Sequence, residues 1–211
     1  VKDFPTETEG KIFISFAGDA DSTFSSPTVR RMMLEKAIGI YNDKHKSGNI
    51  NLTPQQIKTF TEINMIGTSF EDLPTLLNMS LTEIDKEQGD LRTKKNGKTK
   101  KTVTGIPIDG NRDSDGKLND FQIWCRAIYQ VAKDIRDKKA DGLTPEDAKQ
   151  LEDLYAAITK SGTGIAIKAD KDTPFATVEL IFDNLQTMSL NKFSLLTALT
   201  SEDEVSSTPS K

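Results

Sequence analysis

Between Asp109 and Gln122 the chain places oxygen-bearing side chains at close to every second position: Asp109, Asn111, Asp113 and Asp115, then Gly116, then Asn119 and Gln122. Alternation of this kind aims short carboxylates and amides at one point, while the glycine allows the sharp turn that closes a loop around an ion. The chemistry is that of a hard divalent cation, since Ca²⁺ takes roughly six to eight oxygen ligands in flexible geometry. The same composition also suits a polar turn leading into a helix, because Asp, Asn and Ser side chains bond readily to nearby backbone.

In its spacing the segment from Asn111 to Gln122 resembles the loop of EF-hand calcium-binding proteins, with Gly116 at the turn and Leu118 as the apolar residue that leaves the loop for the core. The resemblance implies one Ca²⁺ site in which Asn111, Asp113 and Asp115 give side-chain oxygens and Lys117 its backbone carbonyl. Asn119 would give a direct or water-mediated contact and Gln122 a single amide oxygen. Two slots depart from the family: Asn111 stands where Asp is usual, and Gln122 where a bidentate Glu is usual. Ligand charge sets affinity, so the implied site is weak, in the range of ~10⁻⁴–10⁻³ M. Asp109 and Asp120 lie close enough in sequence to add negative field or replace a ligand. A second outline, from Asp43 to Pro54, keeps Gly48 and Ile50 but puts His45 and Pro54 in ligand slots, leaving Asp43 as its lone carboxylate. A third, around Asp141-Gly142, has Lys139 in a ligand slot and reads as a joint between two helices. The order loop, helix, turn, helix is also partly similar to dockerin modules, through Asp113, Asp115, Gly116 and Asn119 alone.

Other chemistry is sparse. His45 is the single histidine, flanked by lysines, and reads as a solvated surface residue. Cys125 falls on an apolar helical face with Phe121, Ile128, Ala132 and Ile135, where a small buried hydrophobe is its default role. No nucleophile elbow or phosphate loop is present, and Ser161-Gly-Thr-Gly164 is a turn. The chain is therefore expected not to be an enzyme, with catalysis by scattered carboxylates as a third reading. A formal charge of −4 argues against a nucleic-acid binder. The one basic block, Arg92–Lys101, lacks interleaved aromatics and reads as a solvated loop.

The elements that would position the loop are mostly helical. Ser26-Pro27, Thr53-Pro54-Gln-Gln56 and Thr144-Pro-Glu-Asp147 are helix starts with a capping oxygen, and Ser69-Phe-Glu-Asp72, third in chain order, opens a further helical segment. That segment carries a stripe of Leu73, Leu77, Leu81 and Ile84. Lys11–Phe16 has strand character, and Thr102–Ile108 is extended. The expected fold is mainly α, a bundle of about six helices with EF-hand-like helix-loop-helix units and a small β element. Residues 1–25 form a lead-in with a short strand. Residues 26–200 form one helical domain, divisible into 26–90 and 103–200 around the basic loop 91–102, and 201–211 is a disordered tail.

At the C-terminal end, Val178, Leu185, Lys192 and Leu199 are spaced by seven, as are Ile181, Met188 and Leu195. This predicts a helix over 174–199 that packs on the chain's own core or engages a protein partner or a second copy. No apolar run is long enough to span a membrane. The single cysteine fits a secreted or extracellular bacterial protein built without disulfides, with the reducing cytosol as the alternative. The functional expectation is a non-enzymatic calcium-binding protein acting in protein–protein recognition, with Ca²⁺ structural or weakly regulatory. The alternative is a metal-free exported bacterial assembly protein of the needle-tip or translocator kind.

Overall fold

Helix α1 (Pro27–Lys44) begins where Ser26 caps it, the serine oxygen accepting the Val29 N–H, with Pro27 at the first helical position where no donor is lost. The computed structural model describes residues 12–15, 26–45, 49–90, 105–110, 118–137, 143–156, 166–169, 175–188, 190 and 194–197. Among these are seven helices and four strands: β1 (Ile12–Ser15), α1, α2 (Pro54–Glu62), β2 (Met65–Ile66), α3 (Leu73–Leu76), α4 (Leu81–Asp90), α5 (Asp120–Arg136), α6 (Pro145–Ala156), β3 (Ala166–Ala169), α7 (Phe175–Thr187) and β4 (Ser194–Thr197). The protein is mainly helical, as its patterning predicts.

Helix α2 starts on the expected capping box. The Thr53 hydroxyl oxygen accepts the Gln56 N–H while the Gln56 side chain accepts the Thr53 N–H. Its far end is closed by Arg30 of α1, a buried residue whose Nη1 donates to the carbonyls of Thr61 and Ile63, each at 2.9 Å. A cation at a helix C-terminus meets both the orphan carbonyls and the negative end of the dipole. Between α1 and α2, Asn42 closes the connection by bonding both backbone groups of Ile50, accepting its N–H at 2.8 Å and donating to its carbonyl at 3.0 Å.

The stripe Leu73–Ile84 is divided between two helices. α3 ends at Leu76, and Ser80 starts α4 with its own capping box: the Glu83 carboxylate accepts the Ser80 N–H and the Ser80 oxygen accepts the Glu83 N–H. Helix α5 is the central element, packed on α1, α6 and α7. It buries Phe121, Ile123, Trp124, Cys125, Ala127, Ile128, Val131 and Ala132, a broad face of the helix. Lys36 of α1 pairs with Asp134 of α5 at 3.0 Å. The start of α1 is also tied to that of α6, because the Asp147 carboxylate accepts from the hydroxyls of both Ser26 and Thr144. These bonds hold the Asp147 carboxyl below the usual carboxylate range.

The sheet has the order β2-β1-β3-β4, with β1 antiparallel to β2 and to β3, and β3 parallel to β4. Ile12, Phe13 and Ile14 are all buried, so β1 is covered on both faces. The stretch expected as part of a lead-in thus forms an inner strand of the same core as the helices.

A continuous helix over 174–199 does not form. α7 stops at Thr187, with Leu190 N–H closing on the Leu185 carbonyl at 2.9 Å, and Ser194–Thr197 is strand β4, where Leu195 pairs with Ile167 and Leu196 with Lys168. Parallel strands need a crossover, usually a helix, and α7 is that crossover. The seven-residue spacing therefore spans a helix and a strand. On α7 the buried face is Thr177, Leu180, Ile181, Asn184 and Leu185, turned to the chain's own interior. Among the described residues no helix is long and apolar enough to cross a membrane.

Candidate functional site

The residues on either side of the oxygen-rich segment are held by neighbouring elements. Upstream, the chain runs as irregular extended structure rather than a helix. Gly105, with φ 83, donates its N–H to the Gly67 carbonyl, and Ile106 donates to the Ile12 carbonyl of β1. A positive φ is the left-handed conformation that glycine adopts without a Cβ penalty. Downstream, Asn119 and Gln122 open α5 as a reciprocal capping box: Asn119 Oδ1 accepts the Gln122 N–H at 2.9 Å and Gln122 Oε1 accepts the Asn119 N–H at 3.1 Å. Asn111, Asp113, Asp115 and Lys117 lie outside the described residues, as do the basic stretch 91–102, Ser161–Gly164 and the tail 201–211.

The structure therefore gives two of the expected ligands, Asn119 and Gln122, a local role at the helix start. Gln122 is fully buried. Its amide oxygen serves the Asn119 N–H as a cap. Asp109 and Asp120, expected from the sequence to add negative field or replace a ligand, both line one cleft. That cleft has a volume of about 320 Å³ and is lined by His45, Pro107, Ile108, Asp109, Leu118, Asn119 and Asp120.

Asp120 stands in the first turn of α5 and accepts the Phe70 N–H at 2.8 Å. Burial pushes its carboxyl above the usual range. The Phe70 N–H and His45 oppose that shift, and Glu71 and Asp109 add to it. Asp109 Oδ1 accepts from Asn119 Nδ2 at 2.7 Å. His45 is half-buried rather than solvated: its ring stacks on Tyr41 at 4.2 Å, and its Nδ1 lies 3.0 Å from the Tyr41 carbonyl. A carbonyl oxygen only accepts, so Nδ1 is the donor in this contact.

The cleft thus collects negative charge beside apolar wall residues, which suits a cation. Among the described residues no three His, Cys, Asp or Glu side chains come together as a metal centre, so Asp109 and Asp120 supply only part of a ligand set. Cys125 is fully buried and burial pushes its thiol far up, away from nucleophilic or ligand chemistry. Comparison with protein families, characterised proteins and solved structures returns no match to this chain.

The raised carboxyl of Asp120 carries a signed consequence. Between its unfolded value and its higher folded value, the folded state holds more protons, so stability falls as pH rises through that window and the loss is complete above it. Asp120→Asn keeps an oxygen for the Phe70 N–H and removes the desolvated charge. The variant is expected to melt at a higher temperature than the native chain at pH 7, with the gap narrowing as pH falls into the carboxylate range. Thermal denaturation across that range checks it, and a gap absent at neutral pH or independent of pH refutes the assignment.

Proposed function

We propose that this chain is a non-enzymatic helical protein that binds one Ca²⁺ weakly between Asp109 and Asp120, with the ion structural in a scaffold used for protein recognition. The observation that supports this reading most directly is the meeting of Asp109 and Asp120 at one cleft, where the Asp120 carboxyl is desolvated beside further negative groups. A divalent cation would relieve that repulsion. The sequence supplies further hard ligands, Asn111, Asp113 and Asp115, together with the Lys117 carbonyl, in the segment that joins the two aspartates. Asn119 then contributes through its remaining oxygen lone pair, and Gln122 acts as a cap. The continuous C-terminal helix that an assembly role through a long seam would use is absent, because α7 ends at Thr187.

Calorimetric titration of the full chain with CaCl₂ tests this. A saturable heat with a dissociation constant of ~10⁻⁴–10⁻³ M is expected, and it should be lost in Asp113→Ala/Asp115→Ala. At tenfold excess over the dissociation constant, mass action raises stability by about 1.4 kcal/mol. Absence of heat at millimolar Ca²⁺ would remove the proposal.

A further inference from the structure

We propose that α7 and the arm of residues 105–110 form one latch, so that the wall this arm gives to the cleft opens only when α7 lifts with it. The latch holds with or without a bound ion. Asn184 of α7 makes the connection. It is fully buried on a helix face otherwise formed by Thr177, Leu180, Ile181 and Leu185, where an apolar side chain would pack without a polar group to satisfy. Its amide is fully engaged: Nδ2 donates to the Asp109 carbonyl at 2.7 Å and to the Leu180 carbonyl at 2.8 Å, and Oδ1 accepts from Asn119 Nδ2 at 2.8 Å.

Asn119 completes the arrangement. Its second Nδ2 proton goes to the Asp109 carboxylate at 2.7 Å, and its Oδ1 takes the Gln122 N–H at the start of α5. All four amide protons of the two asparagines therefore have acceptors, and both amide oxygens have donors. At its other end the arm is tied to the sheet and to α5, through the Ile106 N–H on the Ile12 carbonyl at 2.9 Å and the Phe121 N–H on the Pro107 carbonyl at 3.2 Å. Pro107, Ile108 and Asp109 line the cleft, so α7 is bonded directly to one of its walls.

The coupling follows from what each opening leaves behind. If the arm lifts while α7 stays packed, one Nδ2 proton of Asn184 loses its acceptor inside the core, and a buried donor left unmade costs far more than a hydrogen bond exchanged for water. If α7 lifts with the arm, the same amide reaches water and the penalty disappears. The second route is the cheaper one, so arm and helix open as a single local unit. An apolar side chain at this position abolishes the penalty and frees the arm to lift alone.

Native-state amide hydrogen exchange on the full chain tests this, with the Ile106 and Phe121 amides reporting the arm and the Leu185 and Met188 amides reporting α7. In the native chain the arm amides are expected to be protected at least as well as the α7 amides, because the arm opens only when the helix does. In Asn184→Leu, arm protection should fall about tenfold relative to α7 protection. Asn184→Ala, which removes the same amide without adding volume, should shift the ratio in the same direction. A ratio unchanged from the native chain overturns the proposal, and this includes the case in which a general loss of stability speeds both sets equally. Arm amides that exchange faster than α7 amides in the native chain also overturn it, and that comparison decides the matter even if neither variant folds.

Discussion

Gly67→Ala is expected to lose about 3 kcal/mol of stability, the upper end of the usual overpacking range. Gly67 directly follows β2, and the antiparallel register that pairs Ile14 with Ile66 and Ser15 with Met65 sets it opposite Phe13 of β1. The Phe13 ring lies across the bare Cα, and an added methyl would overlap its Cδ1 and Cε1. The ring has little room to retreat, because Phe13 is 6% exposed on a strand covered on both faces. The backbone is also held, since the Gly67 carbonyl accepts the Gly105 N–H at 3.0 Å. Denaturant unfolding of Gly67→Ala, Phe13→Val and the double variant measures the coupling. The double variant should be more stable than the sum of the single losses implies, because removing the ring makes space for the methyl. A loss below about 1 kcal/mol in Gly67→Ala, or strict additivity, would show that the sheet accommodates the methyl.

Trp124→Ala is expected to cost about 3–5 kcal/mol, the range for emptying a large aromatic site in a core. Trp124 is 1% exposed and stacks on Phe60 at 5.7 Å and on Phe70 at 5.0 Å. Phe70 in turn stacks on Tyr41 at 4.9 Å, and Tyr41 on His45. Each such pair contributes about 0.5–1.5 kcal/mol beyond burial, so truncation removes both packing volume and two ring contacts. Trp124→Phe keeps a ring at the centre of the row and should lose clearly less. Urea unfolding followed by circular dichroism distinguishes them, and equal losses for Ala and Phe would mean that the stack adds nothing to burial.

The sequence made local chemistry legible and long-range pairing illegible. Helix starts at Ser26, Thr53 and Thr144 are readable because a capping oxygen and the N–H it accepts lie three residues apart. The apolar face of α5 is readable because its period is that of the helix itself. The start of α4 had the same kind of signal, Ser80 with Glu83, but a leucine stripe that runs past it masks the break.

The sheet was largely hidden. Its strands are two to four residues long, and β3 and β4 are joined only through a crossover, so no local alternation announces them. The C-terminal seam misled for that reason: Ile181 and Leu185 belong to a buried helix face, whereas Leu195 belongs to a strand. At the cleft, the oxygen-rich segment stands out in the sequence. The approach of His45 to Asp120 depends on how α1 and α5 pack, that of Glu71 on the turn before α3, and the reach of Asn184 to Asp109 on α7. No spacing within the segment encodes any of these.

The row of rings from Phe60 to His45 carries a practical consequence. Its tryptophan is the only one in the chain, so emission excited selectively at the indole reports one site, joined by direct ring contact through Phe70 and Tyr41 to a wall of the cleft. The protein has a built-in optical probe. Ligand titrations at the cleft can be followed by emission wavelength and lifetime without attaching a dye.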